Sequence, residues 1–133
     1  MVIAEGAFVK TLFPTRERPR RPGPLHICYC FAVARPIVIV AYSSSQSWPS
    51  GIPLPHGVRI FGTSEAARLN QRPFVLYLNR LAKLPLISAW FPELDKPSQG
   101  VVAVAPDSLR DQLLNTMTEL LQRRRELVQT LGP

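Results

Sequence analysis

Arginine, histidine, serine, threonine and glutamine are the residues through which this chain could do chemistry, because the commoner catalytic constellations are missing. Carboxylates number only nine, and no D-x-D or E-x-x-E pair gathers two of them, which disfavours a two-metal nuclease. There is no G-x-x-x-x-G-K-[ST] phosphate loop, no G-x-G-x-x-G and no H-E-x-x-H. A Ser-His-Asp hydrolase would need a G-x-S-x-G elbow, and none is present. The remaining residue types can break a phosphodiester without metal when the substrate carries its own nucleophile. RNA does so: its 2′-hydroxyl attacks the adjacent phosphorus if a base takes the proton, an acid protonates the leaving oxygen and a cation offsets the developing charge. Two segments could supply these roles, Thr15 to His26 and Ser43-Ser44-Ser45-Gln46.

A second series is His26-x-Cys28-x-Cys30, which a strand would turn to one face. A metal site there lacks a fourth ligand, since the only other histidine is His56 and there is no third cysteine. Buried reduced thiols are the expectation, and no metal or other cofactor is expected. A disulfide between strand residues two apart has the wrong geometry.

The elements that must position these residues fit one domain of 133 residues, 46% of them hydrophobic. The net charge is +7 and the pI about 10.3, compatible with nucleic acid, an anionic membrane surface or an acidic protein. Between Met1 and His26 there are five basic and two acidic residues, whereas from Asp107 onward there are four of each. The densest cluster is Arg16-Glu17-Arg18-Pro19-Arg20-Arg21. The opening residues lack the basic-then-apolar order of a signal peptide. The most apolar stretch, Ile27 to Tyr42, is broken by Arg35-Pro36 and is too short to span a bilayer. A cytoplasmic protein without a membrane partner is expected.

Fourteen prolines punctuate short apolar runs. Strands are expected over Ala7 to Phe13, Leu25 to Val33, Pro36 to Tyr42, Gly57 to Phe61, Pro73 to Asn79 and Gly100 to Ala105. Leu81 to Ile87 is a weaker strand interrupted by Pro85. The two strands around Arg35-Pro36 are expected to pair antiparallel. Thr63 to Leu69 reads as one or two helical turns capped by Thr63 or Ser64. Asp107 to Leu131 follows Pro106, contains no Pro or Gly, and repeats Leu109, Leu113, Met117 and Leu120 at helical spacing, with Leu114, Leu121 and Val128 beside them. The expected fold is mainly β (α+β): a small curved sheet or SH3-like barrel over residues 1–106, with a long C-terminal helix over 107–131.

Four segments, in order, resemble the PemK/MazF toxins of type II toxin-antitoxin systems. Gly6-Ala7-Phe8-Val9-Lys10-Thr11-Leu12-Phe13-Pro14-Thr15 is similar to the family's opening strand, preceded by Gly and closed by Pro. The Arg-Pro-rich loop and the strand from Leu25 are similar to its G-x-R-P followed by an apolar strand. Ile37 to Gln46 is similar to its strand ending in two hydroxyl residues and Gln. Gly100 to Leu109 is similar to its last strand, running through Pro106 into the C-terminal helix.

The resemblance implies a PemK/MazF-type barrel, a homodimer, a cognate antitoxin, and metal-independent, sequence-selective cleavage of single-stranded RNA. The family's catalytic threonine falls on Ser44, which keeps the hydroxyl. Its catalytic arginine falls on Arg21, with Arg20 and His26 as rivals because Gly23-Pro24-Leu25 shifts the following strand. His26 is the better proton carrier near neutral pH, and an arginine the better partner for a phosphorane. Arg16, Arg18, Arg20, Ser45, Gln46 and Trp48 are the expected RNA contacts. The alternative is a catalytically silent relative that binds nucleic acid or a protein target such as gyrase, with Trp48 as an exposed anchor. Trp90 is expected in the core. A third possibility is an assembly protein that dimerises through its last helix.

Overall fold

A computed structural model gives the fold, and residues 2–123 and 129–133 are described. The chain runs β1 (Ala7–Leu12), β2 (Leu25–Ala34), β3 (Ile37–Ser44), β4 (Val58–Phe61), α1 (Thr63–Ala67), β5 (Phe74–Pro85), β6 (Val101–Val104), α2 (Asp107–Arg123) and β7 (Gln129–Leu131). One curled sheet holds the strands in the order β4-β5-β3-β2-β1-β6, with β7 added to β5. All pairings are antiparallel except β5 with β7. The sheet is a half-barrel: among the described residues β4 and β6 are not paired with each other. Across that gap the Asn70 side chain donates to the Val102 carbonyl at 3.0 Å, so a side chain from the α1–β5 connection reaches β6.

The β-branched run in β3 explains why both faces of the sheet are covered. Branched side chains favour the pleated backbone, and alternation sends Val38 and Val40 to one side and Ile39 and Ala41 to the other. On the first side lie Val9, Cys28, Cys30, Ala82 and Leu84, covered by Trp90 and Phe91 of the β5–β6 connection. Leu12 N donates to the Trp90 carbonyl at 2.8 Å, tying that connection to β1. Trp90 is therefore a core residue, 4% exposed. On the second side Phe8, Tyr29, Leu76 and Leu78 meet α2 through Leu109, Leu113, Met117 and Leu120. These four are the positions whose spacing marked the helix, whereas Leu114 and Leu121 are exposed.

Three local expectations are corrected. Between Pro73 and Ile87 there is one continuous strand, β5 (Phe74–Pro85), and not a strong strand followed by a weak one. Its irregularity is a bulge: Ala41 pairs with Leu81 but Tyr42 with Tyr77, leaving Leu78 to Arg80 without partners on β3. Leu78 N instead donates to the Gly57 carbonyl at 2.9 Å. Pro85 is tolerated because it is the last residue of the strand. Helix α1 is capped by Gly62 with no side-chain cap bond, so neither Thr63 nor Ser64 caps it.

The C-terminal helix does not continue to Leu131. Helix α2 is described to Arg123, and Gln129 to Leu131 form a parallel strand opposite Arg80 to Ala82. Val128 lies outside the described residues. Leu131 is buried in the sheet core, and Gly132 N donates to the Pro19 carbonyl at 2.8 Å. The absence of Pro and Gly let the helical pattern run on, but burial of Leu131 and the β5 edge decide the local structure. Among the described residues, no helix is long and apolar enough to cross a membrane.

Candidate functional site

The β1–β2 register sets Thr11 opposite His26 and Val9 opposite Cys28. Strand alternation then stacks His26 and Cys28 on one face, with Cys28 and Cys30 fully buried. The thiols are free, and burial pushes both up to about 12. They stay protonated at neutral pH and behave as small apolar side chains. Among the described residues, no three of His, Cys, Asp and Glu gather as a metal site.

His26, at the exposed end of this column, is only half-buried and lines a cavity of about 450 Å³. Ser43, Ser45, Gln71, Arg72 and Lys10 line it as well. Each comes from a different constraint. Ser43 is the penultimate residue of β3, and its hydroxyl donates to the Ile27 carbonyl on β2, which fixes the β3 end against His26. Ser45 follows as the strand leaves the sheet and is exposed. Lys10 is ion-paired with Glu93 at 2.8 Å, so part of its charge is already offset. Arg72 is exposed and has no carboxylate partner among the described residues. Gln71 Nε2 is buried without an acceptor among the described residues, a deficit that costs about 1–3 kcal/mol if nothing fills it.

The His26 imidazole is held below its ordinary value of 6.5. Desolvation is the main cause and the Arg80 charge adds to it, while a hydrogen bond that the imidazole donates to the Ser43 backbone carbonyl acts the other way. His26 is thus neutral at pH 7 and able to accept a proton.

On its other side, His26 begins a row of rings. Its centroid is 4.8 Å from that of Tyr42, which is 5.3 Å from Tyr77, and Tyr77 is 6.3 Å from Trp48. The Arg80 guanidinium lies 4.2 Å from the Tyr42 centroid and 5.7 Å from that of Phe13. The β5 bulge explains why both Tyr77 and Arg80 reach Tyr42. Tyr77 is its paired neighbour, and the looped-out Leu78 to Arg80 return the strand with Arg80 close to the same ring. Arg80 Nε is buried and has no acceptor among the described residues.

The structure brings some of the sequence-derived candidates together and separates others. His26 and Ser45 share the 450 Å³ cavity. Ser45, Gln46 and Trp48 share an adjacent cavity of about 220 Å³. Trp48 is half-buried rather than exposed, and its indole donates to the Ile52 carbonyl at 2.8 Å. Ser44 is 8% exposed and lines neither cavity; its hydroxyl accepts from Gln46 N at 3.1 Å. Arg16, Arg18, Arg20 and Arg21 are exposed on the β1–β2 loop. Arg18, Arg20 and Arg21 line a shallow cavity with Glu17 and Pro19, apart from His26 and Ser44. Arg80, Arg72 and Gln71 were not singled out from sequence. For Arg80 a signal existed, a charged residue in the middle of the apolar run Phe74 to Leu84. For Gln71 and Arg72, in a polar connection, there was none. No family model and no curated protein matches this sequence.

Proposed function

We propose that this protein is a metal-independent endoribonuclease of PemK/MazF type that cleaves single-stranded RNA by attack of the 2′-hydroxyl. One observation carries it: a neutral, half-buried His26 shares a cavity with an exposed hydroxyl, Ser45, and a cation, Arg72, that has no carboxylate partner among the described residues. His26 takes the 2′-proton, the 2′-oxygen bonds to phosphorus, and the bond to the 5′-oxygen breaks as water at the open cavity mouth protonates it. Arg72 and Lys10 offset the charge on the phosphorane, and Ser45 donates to a phosphate oxygen. Of the three residues considered for the arginine's place, His26 is the one beside the serines. Arg20 and Arg21, with Arg16 and Arg18, belong to a loop that attracts the RNA backbone. Ser44 holds the turn that presents Ser45.

A homodimer and a cognate antitoxin belong to the same proposal. A second reading, binding without cleavage, is favoured by the Ser44 geometry, because the hydroxyl aligned with the family's threonine is buried and already accepts a hydrogen bond. Cleavage of single-stranded RNA in EDTA, compared between wild type and His26→Ala, separates the two. Cleavage that vanishes in the variant supports the nuclease; binding of intact RNA supports the second reading.

A further inference from the structure

We propose that Arg80, with the ring row Trp48, Tyr77, Tyr42 and His26, is a track for single-stranded RNA in which Arg80 grips a backbone phosphate. This rests on the RNA reading above and assigns the residues that hold the strand beside the cleavage cavity.

The guanidinium is placed by stacking and not by an ion pair. It lies over Tyr42 and near Phe13, and among the described residues no carboxylate comes within ion-pair distance. A contact with ring faces uses up no N–H donor and leaves the terminal nitrogens for a forked contact, the geometry that suits phosphate oxygens. Arg80 Nε is buried without an acceptor among the described residues, and buried donors in folded proteins normally have one. Nε itself is closed to an incoming ligand, so a phosphate would be met by the terminal nitrogens of this half-buried side chain.

The surroundings choose RNA over an acidic protein segment. His26, Tyr42, Tyr77, Trp48 and Arg80 are each partly exposed, and aromatic faces beside a cation are the means by which proteins hold unpaired bases without sequence preference. The row begins at His26, which also lines the cleavage cavity. Toward its other flank lies further cationic surface. Strand β7 pairs Gln129 with Arg80, and three residues later Gly132 bonds to Pro19 inside the arginine loop. The arginine loop and Arg80 are therefore tied together through β7.

The test uses the full chain and a 2′-O-methyl oligoribonucleotide of mixed sequence, which lacks the 2′-nucleophile and so reports binding alone. Anisotropy titrations across a salt series compare wild type, Arg80→Gln, Arg80→Lys, Tyr77→Leu and, as a charge control, Arg35→Gln at the opposite end of β3. Arg80→Gln should weaken binding about tenfold and reduce the slope of log Kd against log salt by about 0.7, the value for one phosphate contact on a single strand. Tyr77→Leu should weaken binding at least about fivefold with the slope unchanged. Arg80→Lys should keep the slope and lose affinity through the missing fork. Arg35→Gln should do neither. Thermal melts identify any variant that fails to fold, and Tyr77→Leu and Arg80→Lys then carry the test.

Unchanged affinity and slope in Arg80→Gln, an absence of wild-type binding, or displacement of the RNA by polyglutamate at equal charge concentration would each overturn the track. Cleavage of ordinary RNA by the wild type is measured separately. Cleavage with an unaffected Arg80→Gln removes the track and leaves the nuclease. The expected binding losses without any cleavage remove the nuclease and leave the track.

Discussion

His26 and Tyr42 sit on neighbouring strands with ring centroids 4.8 Å apart, in surroundings that hold the imidazole below its ordinary value. Tyr42 adds to the burial of the ring and also lies against the Arg80 cation. Both influences disfavour the charged imidazole, so the pair couples the packing of β2 on β3 to the chemistry of the cavity.

A pH dependence follows with a definite sign. His26 titrates lower in the folded chain than in the unfolded one, so on acidification the unfolded chain takes up the proton first. Its contribution to stability is complete above the unfolded value of about 6.5 and is lost as pH falls through the lowered folded value. Melting temperature measured from pH 8 to 5 should fall less steeply in His26→Gln than in wild type. The rate of cleavage should hold through pH 7 and decline only below about 6.5.

Gly132 is a stability determinant. Its φ is +119°, and a Cβ there would overlap the Lys83 carbonyl oxygen. Gly132→Ala must therefore push β7 off β5, and urea unfolding should show a loss of about 1–3 kcal/mol. Gly51→Ala is the contrast: φ is +78° but nothing lies within 4 Å, so its loss should be limited to backbone strain, about 1–2 kcal/mol.

The two central serines should separate by readout. Ser44→Ala removes the acceptor of Gln46 N and should cost about 1 kcal/mol of stability, with a loss of rate that follows the displaced turn. Ser45→Ala, at an exposed position, should leave unfolding within about 0.5 kcal/mol of wild type and slow cleavage about tenfold. Parallel urea titrations and single-turnover assays check both.

Sequence periodicity placed β1, β2, β3, β4, β6 and the core face of α2, and split β5 in two, because alternation and helical spacing are properties of local runs such as Ile37 to Val40 and Leu109 to Leu120. It failed where a distant partner decides. Gln129 to Leu131 become a strand only because the β5 edge is there to pair with them, and Arg80 meets Tyr42 only through a bulge that no local pattern announces. His26 and Ser45 could be named as candidates from residue type. Their common cavity depends on the β1–β2 and β2–β3 registers, and Gln71 and Arg72 join it from a connection without any motif.

The arginine loop should act on affinity and not on turnover. Neutralising Arg16, Arg18, Arg20 and Arg21 together should raise KM for RNA and flatten its salt dependence by up to about 2.8 in log–log slope, four contacts at about 0.7 each. An unchanged slope would reduce the loop to a solvated connection.

The most direct measurement of the central claim is the chemistry of the RNA ends. Purified wild type and His26→Ala are incubated with single-stranded RNA in EDTA, and the products are mapped. The expected result is wild-type cleavage leaving a 2′,3′-cyclic phosphate and a 5′-hydroxyl, with the rate at least about a hundredfold lower in the variant. Intact RNA across varied substrates, products bearing a 5′-phosphate, or equal cleavage by His26→Ala would contradict it.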